Sequence, residues 1–371
     1  MNKNRHSHST AARRGGERAL ILLAASAVLA LAAATGCSAQ EPARRGGEVV
    51  TPKTFWAKVQ AAQPGAVILL DSGDYGPVKF YGKKLAKPGL RIEAKPGAKA
   101  VFSSLTLENS EGIDVRGVEV ASAGEGVAVT VVDSADVSLS GFKVHNAAGA
   151  GHGGVGFLLR DSTGVSVTGS EVTELGSGIG HVHTSHLTIS NNTLHHLQTD
   201  GIFGGGSSHV VVSGNHIGEF HPQPGDHPDA IQFWGNRDGT PGTDVAIRNN
   251  VIDRGTGEVI QGIFIESTDD LTITGNAMTG TMYNGISLST VKTGLVEDNF
   301  VQGFTDMDSR IVVRGASSDV TVRNNVAQSI FNLDSEGKNP RYKEDHNSTV
   351  RAAKPGDSTA MKAWLSQHPQ H

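Results

Sequence analysis

The chain has 371 residues, with 32 Lys+Arg against 37 Asp+Glu and a formal net charge of −5. That near-balance speaks against a nucleic-acid binder, which needs a basic face. Aromatics make up only 5% and Cys occurs once, which excludes a core of large rings, a disulfide framework and a Cys-based metal site. The 47 Gly residues follow no G-X-Y period, which excludes collagen and predicts many tight turns.

Residues 1–17 are polar and basic, and an apolar run then extends from Ala19 to Ala34. The run is short for a spanning helix and reads as a secretory signal. It closes with Thr35-Gly36-Cys37-Ser38, which resembles the lipobox of bacterial lipoproteins. The resemblance implies lipidation of Cys37 and an exported protein held in the cell envelope, touching membrane only through that lipid. Ordinary signal cleavage would leave it secreted instead. Residues 1–37 are therefore assigned as signal, 38–50 as a flexible tether, 51–335 as the folded body and 336–371 as a C-terminal cap and tail. Within the body, residues 51–80 read as a short amphipathic helix, a Pro-Gly turn and a strand. Phe55, Trp56 and Val59 are expected to plug one end of the core. A second helix is expected at Ser358–Ser366.

From about residue 100 to 330 the chain repeats itself. The recurring phrase is a β-branched run, a polar pair and another apolar residue, as in VSVTGSEV (165–172), LTISNNTL (187–194) and VAIRNNVI (245–252). The second polar residue falls at Ser170, Asn192, Asn215, Asn250, Asn276, Asn299 and Asn325, at intervals of 22, 23, 35, 26, 23 and 26. A second phrase alternates with it: GIGHV (178–182), GIFGG (201–205), AIQFW (230–234), GIFIE (262–266), GISLS (285–289) and RIVVR (310–314). Two short strands per unit leave no room for a helical crossover. Such a coil must stack on its neighbours to pair its backbone, about 4.8 Å apart, and Asn at matching turns then forms a ladder. The predicted fold is all-β: a single-stranded right-handed parallel β-helix solenoid with an N-terminal helical cap and an irregular C-terminal cap. The pattern resembles the pectin-lyase-like superfamily over residues 65–335, and the lead-in segment is similar to that of chondroitinase-B-like lyases. A monomer is expected.

The second residue of the second phrase is Ile in all six copies, which sets it on the core side and its odd-numbered neighbours outside. The outward strip then carries a floor of Gly and Ala beside Phe203, Gln232, Trp234, Phe264, Glu266 and Arg314, with Gln261 and Arg310 in flanking columns. Such a groove suits a polysaccharide, and these eight residues are the candidate substrate-binding set. The 35-residue interval marks enlarged loops around FHPQPGDHPD (220–229) and WGNRDGTPG (234–242), and enlarged loops on a solenoid carry function. Stacking sets Asp200 and Asp229 on adjacent rungs, with Asp226 close by. Three such carboxylates repel unless one keeps its proton or a cation such as calcium binds them. His227, between two Asp, is a candidate base. Nine His lie between 181 and 227, but no recognised zinc spacing occurs among them.

Family resemblances point in several directions. TDG (199–201), Asp229 and Arg310-Ile311 resemble motifs of polygalacturonase-type hydrolases, although Gln261 and Val312 replace the His and Lys of that pattern. DHPD (226–229) is similar in composition to an alginate C5-epimerase motif. Pectate lyases hold calcium on stacked Asp, which implies a calcium site at Asp200, Asp226 and Asp229. The leading expectation is an exported lyase or C5-epimerase acting on a uronate-containing polysaccharide, with His227 as base and the three Asp orienting it or holding calcium. A glycoside hydrolase using Asp200 and Asp229 as acid and base is the second, and a non-catalytic glycan-binding lipoprotein the third.

Overall fold

The bends of the chain come from a two-residue device. In the phrase at 165–172 the polar pair is Gly169 and Ser170. Gly169 and its counterparts Asn191, Gly214, Asn249, Gly275, Asp298 and Asn324 all have φ between 52° and 66°. Gly, Asn and Asp adopt that left-handed backbone most readily, which explains the choice of residue at each bend. The bend splits the phrase into two strands, Thr163–Thr168 and Glu171–Thr173, and the second phrase supplies a third, Ser177–Val182. Each turn of the solenoid therefore has three strands, one more than the sequence suggested, because a phrase that reads as one β-run is broken by its own polar pair.

The computed structural model describes residues 46–236, 238–333 and 341–368. Each coil lies parallel on the next. On face 1, Ile179 pairs with Ile202 and Ile202 with Ile231. On face 2, Leu187 pairs with Val210. On face 3, Leu194 pairs with Ile217. Face 3 is a 12-stranded sheet, whereas faces 1 and 2 join in a 23-stranded sheet. They are continuous where Gln261–Thr274 runs 14 residues around the corner. The six phrase Ile residues are fully buried, as expected, each worth roughly 1.5–3 kcal/mol of transfer free energy.

The Asn ladder is present. Asn192, Asn215, Asn250, Asn276, Asn299 and Asn325 are at most 1% exposed. The backbone N–H and side-chain Nδ2 of each donate to Oδ1 of the next, at 2.9–3.0 Å, and Asn347 ends the series. The opposite corner carries a hydroxyl ladder. Ser110 N–H donates to Ser134 Oγ, Ser134 N–H to Ser162 Oγ and Thr184 N–H to Ser207 Oγ.

Helix α1 (Phe55–Ala61) buries Phe55 and Val59 in the first rungs, where Phe55 meets Tyr75 and Phe102 edge to face or tilted. Trp56 is 38% exposed and lies against Phe80, so it shields the core from outside it. Two boundaries move. Glu48–Val50, at the end of the expected tether, pairs with Val67–Leu70. Lys343–Asp345 and Ser348–Thr349 continue the coil beyond residue 335. Helix α2 (Thr359–Gln367) lies along face 3, with Met361 and Trp364 packed on Ala277 and Phe300, not across the open end. No helix among the described residues is long and apolar enough to cross a membrane. Cys37, the signal segment and the start of the tether lie outside the described residues.

Candidate functional site: a coupled carboxyl pair on face 1

Face 1 departs from the expected groove in one respect. The Gly and Ala at the first position of each phrase point into the corner and are buried. A Cβ on Gly178 would stand 2.6 Å from Leu194 Cδ2, and one on Gly285 would collide with Val301 Cγ1. These residues are small because face-3 side chains fill the space beneath them, so they form no floor. The outward columns are the pre-strand, third and fifth positions. A second departure is a register shift between Asn284 and Ile286, which pairs Arg310 with Asn284 and Ser309 with Tyr283.

Asp200 and Asp229 are on adjacent rungs. The Asp229 backbone N–H donates to Asp200 Oδ1 at 3.1 Å. Asp229 is fully buried and Asp200 partly so. Asp229 Oδ2 accepts from Gln232 Nε2 at 2.9 Å and from Gln261 Nε2 at 3.5 Å. Its Oδ1 is buried with no hydrogen-bond partner among the described residues. Burial, and then the neighbouring Asp200 charge, push the Asp229 carboxyl up to about 8. Burial also raises Asp200, with Asp226 adding to the rise and the bond from Asp229 N–H opposing it. At neutral pH Asp229 therefore keeps its proton, which belongs on Oδ1, the oxygen that no amide approaches. The pair sets a protonated, buried Asp229 beside Asp200, whose own proton affinity burial also raises.

A chain of hydrogen bonds runs from this pair along the face. Gln261 Oε1 accepts from Asn284 Nδ2, and Asn284 Oδ1 accepts from Arg314 Nη2 at 2.5 Å. Asn284 was not among the expected site residues, although its pre-strand position was a usable signal. Phe203 and Trp234 stack with ring centroids 6.2 Å apart and planes 21° from parallel. Gly180 makes room for Phe203, whose Cζ lies 2.7 Å from where a Cβ would be. Phe264 pairs with Gln232 and Ser287, and Glu266 with Ser289, both half-buried in the outward columns. Arg310 lies between the rings of Tyr283 and Phe331, at 5.6 and 5.5 Å.

His227 does not join the pair. It is exposed and has no hydrogen bond or ion pair among the described residues. Asp226 Oδ2 accepts from Gln223 N–H within its own loop, and Asp229 is committed to the two glutamines, so neither carboxylate orients the imidazole. Among the described residues, the one group of three or more His, Cys, Asp or Glu side chains whose ligand atoms converge within 4.8 Å is His195, His196 and Glu219. The Asp200–Asp226–Asp229 trio is not among such groups, and the side-chain amides of Gln232 and Gln261 donate to Asp229 Oδ2.

A family model described as "Right handed beta helix region" matches residues 92–238 and 125–300, together 209 of the 371 residues. The chain belongs to the right-handed β-helix family. A search of curated proteins finds no match. Among solved β-helix structures, the Family 28 exopolygalacturonase of Yersinia enterocolitica is 12% identical, with 84% of this chain and 79% of that one covered and a TM-score of 0.51. The surface adhesin PfbA of Streptococcus pneumoniae is 11% identical over 81% and 86%, with a TM-score of 0.52. The GH136 lacto-N-biosidase of Eubacterium ramulus is 12% identical over 83% and 68%, with a TM-score of 0.51. At such identities the likeness is one of fold, and chemistry has to be argued from the residues.

Proposed function

We propose that the protein is a carbohydrate-active enzyme that cleaves an acidic, uronate-containing polysaccharide, with Asp200 as the catalytic carboxyl. The observation that carries this reading is the Asp200–Asp229 pair, an ionisable group poised above its ordinary range beside a buried neighbour that holds a proton. Such pairs arise where proton transfer is needed near neutral pH. Glycoside hydrolysis needs proton transfer at the scissile bond, and Asp200 is the accessible carboxyl of the pair, its proton affinity raised by burial. Asp229 acts through Asp200, as a positioning residue, because it is sealed from solvent. The stacked Phe203 and Trp234 offer apolar faces to sugar rings. Arg314 and Arg310 supply positive charge four rungs from Asp200, roughly 19 Å along the solenoid, within reach of uronate carboxylates further along the same chain.

Elimination or C5 epimerisation is the second reading, favoured by the raised proton affinity of Asp200, which suits it to remove the proton α to a uronate carboxylate. In that reading Asp200 takes the proton. Export and attachment through Cys37 belong to the same proposal and bring the enzyme to extracellular glycan. The test is incubation with a panel of uronate-bearing and neutral polysaccharides. New reducing ends without an unsaturated chromophore mark hydrolysis. A chromophore marks elimination, and solvent deuterium at C5 marks epimerisation. Binding without turnover on any substrate would overturn the enzymatic reading in favour of a glycan-binding surface protein.

A further inference from the structure

On face 3, away from the carboxyl pair, the ends of two strands bring together His195, His196 and Glu219, with one ligand atom from each within 4.8 Å of the others. His195 closes Thr193–His195, and Glu219 follows His216–Gly218 one coil later. His196 and Glu219 occupy the same left-handed corner, with φ of 54° and 53°, joined by a bond from His196 N–H to Glu219 O. The sequence offered no zinc spacing here, because the two imidazoles are consecutive and the carboxylate lies a full coil away.

The tautomer of His195 can be read from its partners. Its Nε2 lies 3.1 Å from Glu171 Oε1, so Nε2 carries the proton and donates it. Nδ1 is then a lone pair, and it points at His196 Nδ1, 2.5 Å away. A carboxylate behind a histidine, fixing its ring and raising its basicity, is the usual outer shell of a metal ligand. His195 and Glu219 line a cleft of ≈ 280 Å³ together with His216, Gly218 and Asp253. His195, His196 and Glu219 are all partly exposed, so an ion has a path in and room for solvent ligands.

We propose that His195, His196 and Glu219 form a binding site for a divalent transition metal of the zinc class. Two imidazole nitrogens and one carboxylate oxygen suit Zn²⁺ and its neighbours and not Ca²⁺ or Mg²⁺, which take all-oxygen shells. With Zn–N of about 2.0–2.1 Å, tetrahedral geometry sets the two nitrogens roughly 3.3 Å apart. The rings would have to part by less than 1 Å, and His196 would move its proton to Nε2. Glu171 stays behind His195 as a positioning residue.

The experiment is calorimetric titration of the EDTA-treated protein with ZnCl2, alongside Co²⁺ titration followed by visible absorption. One equivalent should bind, and Co²⁺ should give the d–d bands of a nitrogen-ligated low-symmetry site. His196→Asn keeps the left-handed corner, because Asn tolerates that backbone, and it should weaken binding at least tenfold, as should Glu219→Gln. Glu171→Gln should weaken it 10- to 100-fold while leaving stoichiometry unchanged. His209→Ala removes an imidazole held by Asp244 elsewhere on the surface and should change nothing. The chain holds 16 His, so these variants separate this site from scattered histidine binding. Absence of a stoichiometric event, or an affinity unmoved by His196→Asn and Glu219→Gln, overturns the proposal.

Discussion

The backbone N–H of Asp229 donates to the carboxylate of Asp200 on the rung below, at 3.1 Å, while the Asp229 side chain is sealed beneath Gln232 and Gln261. One peptide group thus holds the accessible carboxyl of the pair in place. Asp200→Asn keeps this acceptor but removes the titrating group. It should lower kcat on the active polysaccharide by about 10²- to 10⁴-fold, the usual worth of a general acid or base. Asp229→Asn should leave folding intact, lower kcat less, and leave the acid limb of the pH–rate profile in place, because a protonated Asp229 puts no charge beside Asp200 and the backbone N–H that bonds Asp200 is kept. Wild-type rates in Asp200→Asn would remove this carboxyl from the mechanism.

Stability against pH carries two opposed signatures. Burial drives His181 down to about 3 from an ordinary 6.5, with its ring edge-on to Phe233 and its Nδ1 against Ser207 Oγ. The unfolded chain takes up a proton that the folded one refuses, so the His181 contribution is complete above pH 6.5 and is lost as pH falls toward 3. Asp229 is raised from 3.8 to about 8, so its contribution is complete below 3.8 and is lost as pH rises through 8. His181→Leu should flatten the acid side of a denaturation-midpoint profile. Asp229→Asn should raise the midpoint at pH 8 and leave it unchanged at pH 4. A tenfold change in proton affinity is worth about 1.4 kcal/mol, and the opposite signs of the two effects are what the profile reads. Parallel profiles for wild type and Asp229→Asn would mean that Asp229 is not protonated in the folded protein.

Arg314 is held by Asn284 at 2.5 Å, and Arg310 by two aromatic faces. Both guanidinium groups are fixed before any ligand arrives, which limits the entropy lost on binding. Arg314→Ala and Arg310→Ala should each weaken binding of a uronate-bearing chain by about 10- to 100-fold, the worth of a charged hydrogen bond, and spare a neutral chain. Calorimetry with both glycan types reads the difference. Equal loss on neutral and acidic chains would show that the arginines serve structure and not charge recognition.

Much of this was legible in the sequence, for identifiable reasons. The Ile column and the Asn ladder follow from residue choice alone, because a stacked coil repeats its environment every turn. The adjacency of Asp200 and Asp229 followed from counting coils. The burial of Asp229 did not, since it depends on two glutamine side chains folding over it from the same and the next rung. The inward turn of Gly178 and Gly285 was hidden because a glycine reads alike in an open groove and in a crowded corner. The convergence of His195 and His196 was hidden by a backbone reversal, since consecutive residues normally diverge, and φ of 54° at His196 turns its ring back onto its neighbour.

The Asn ladder gives the most direct test of the fold. Asn250 Nδ2 donates to Val212 O and Asn276 Oδ1, and its Oδ1 accepts both N–H donors of Asn215. It is fully buried, so no water replaces these partners when the side chain is removed. Asn250→Ala leaves the Asn215 N–H and the Val212 carbonyl without their side-chain partner, at about 1–3 kcal/mol for each buried group left unsatisfied. A loss on the order of 3–5 kcal/mol, beyond most single substitutions, should appear as a large drop in the urea midpoint. Asn347 ends the ladder and is only partly buried, so water can take its place. Asn347→Ala should cost about 1 kcal/mol. The ratio between the two is the diagnostic quantity, because it separates the sealed interior of a continuous ladder from its wet end. Similar losses at both positions would mean that the amides act as independent turn formers and not as one stacked column.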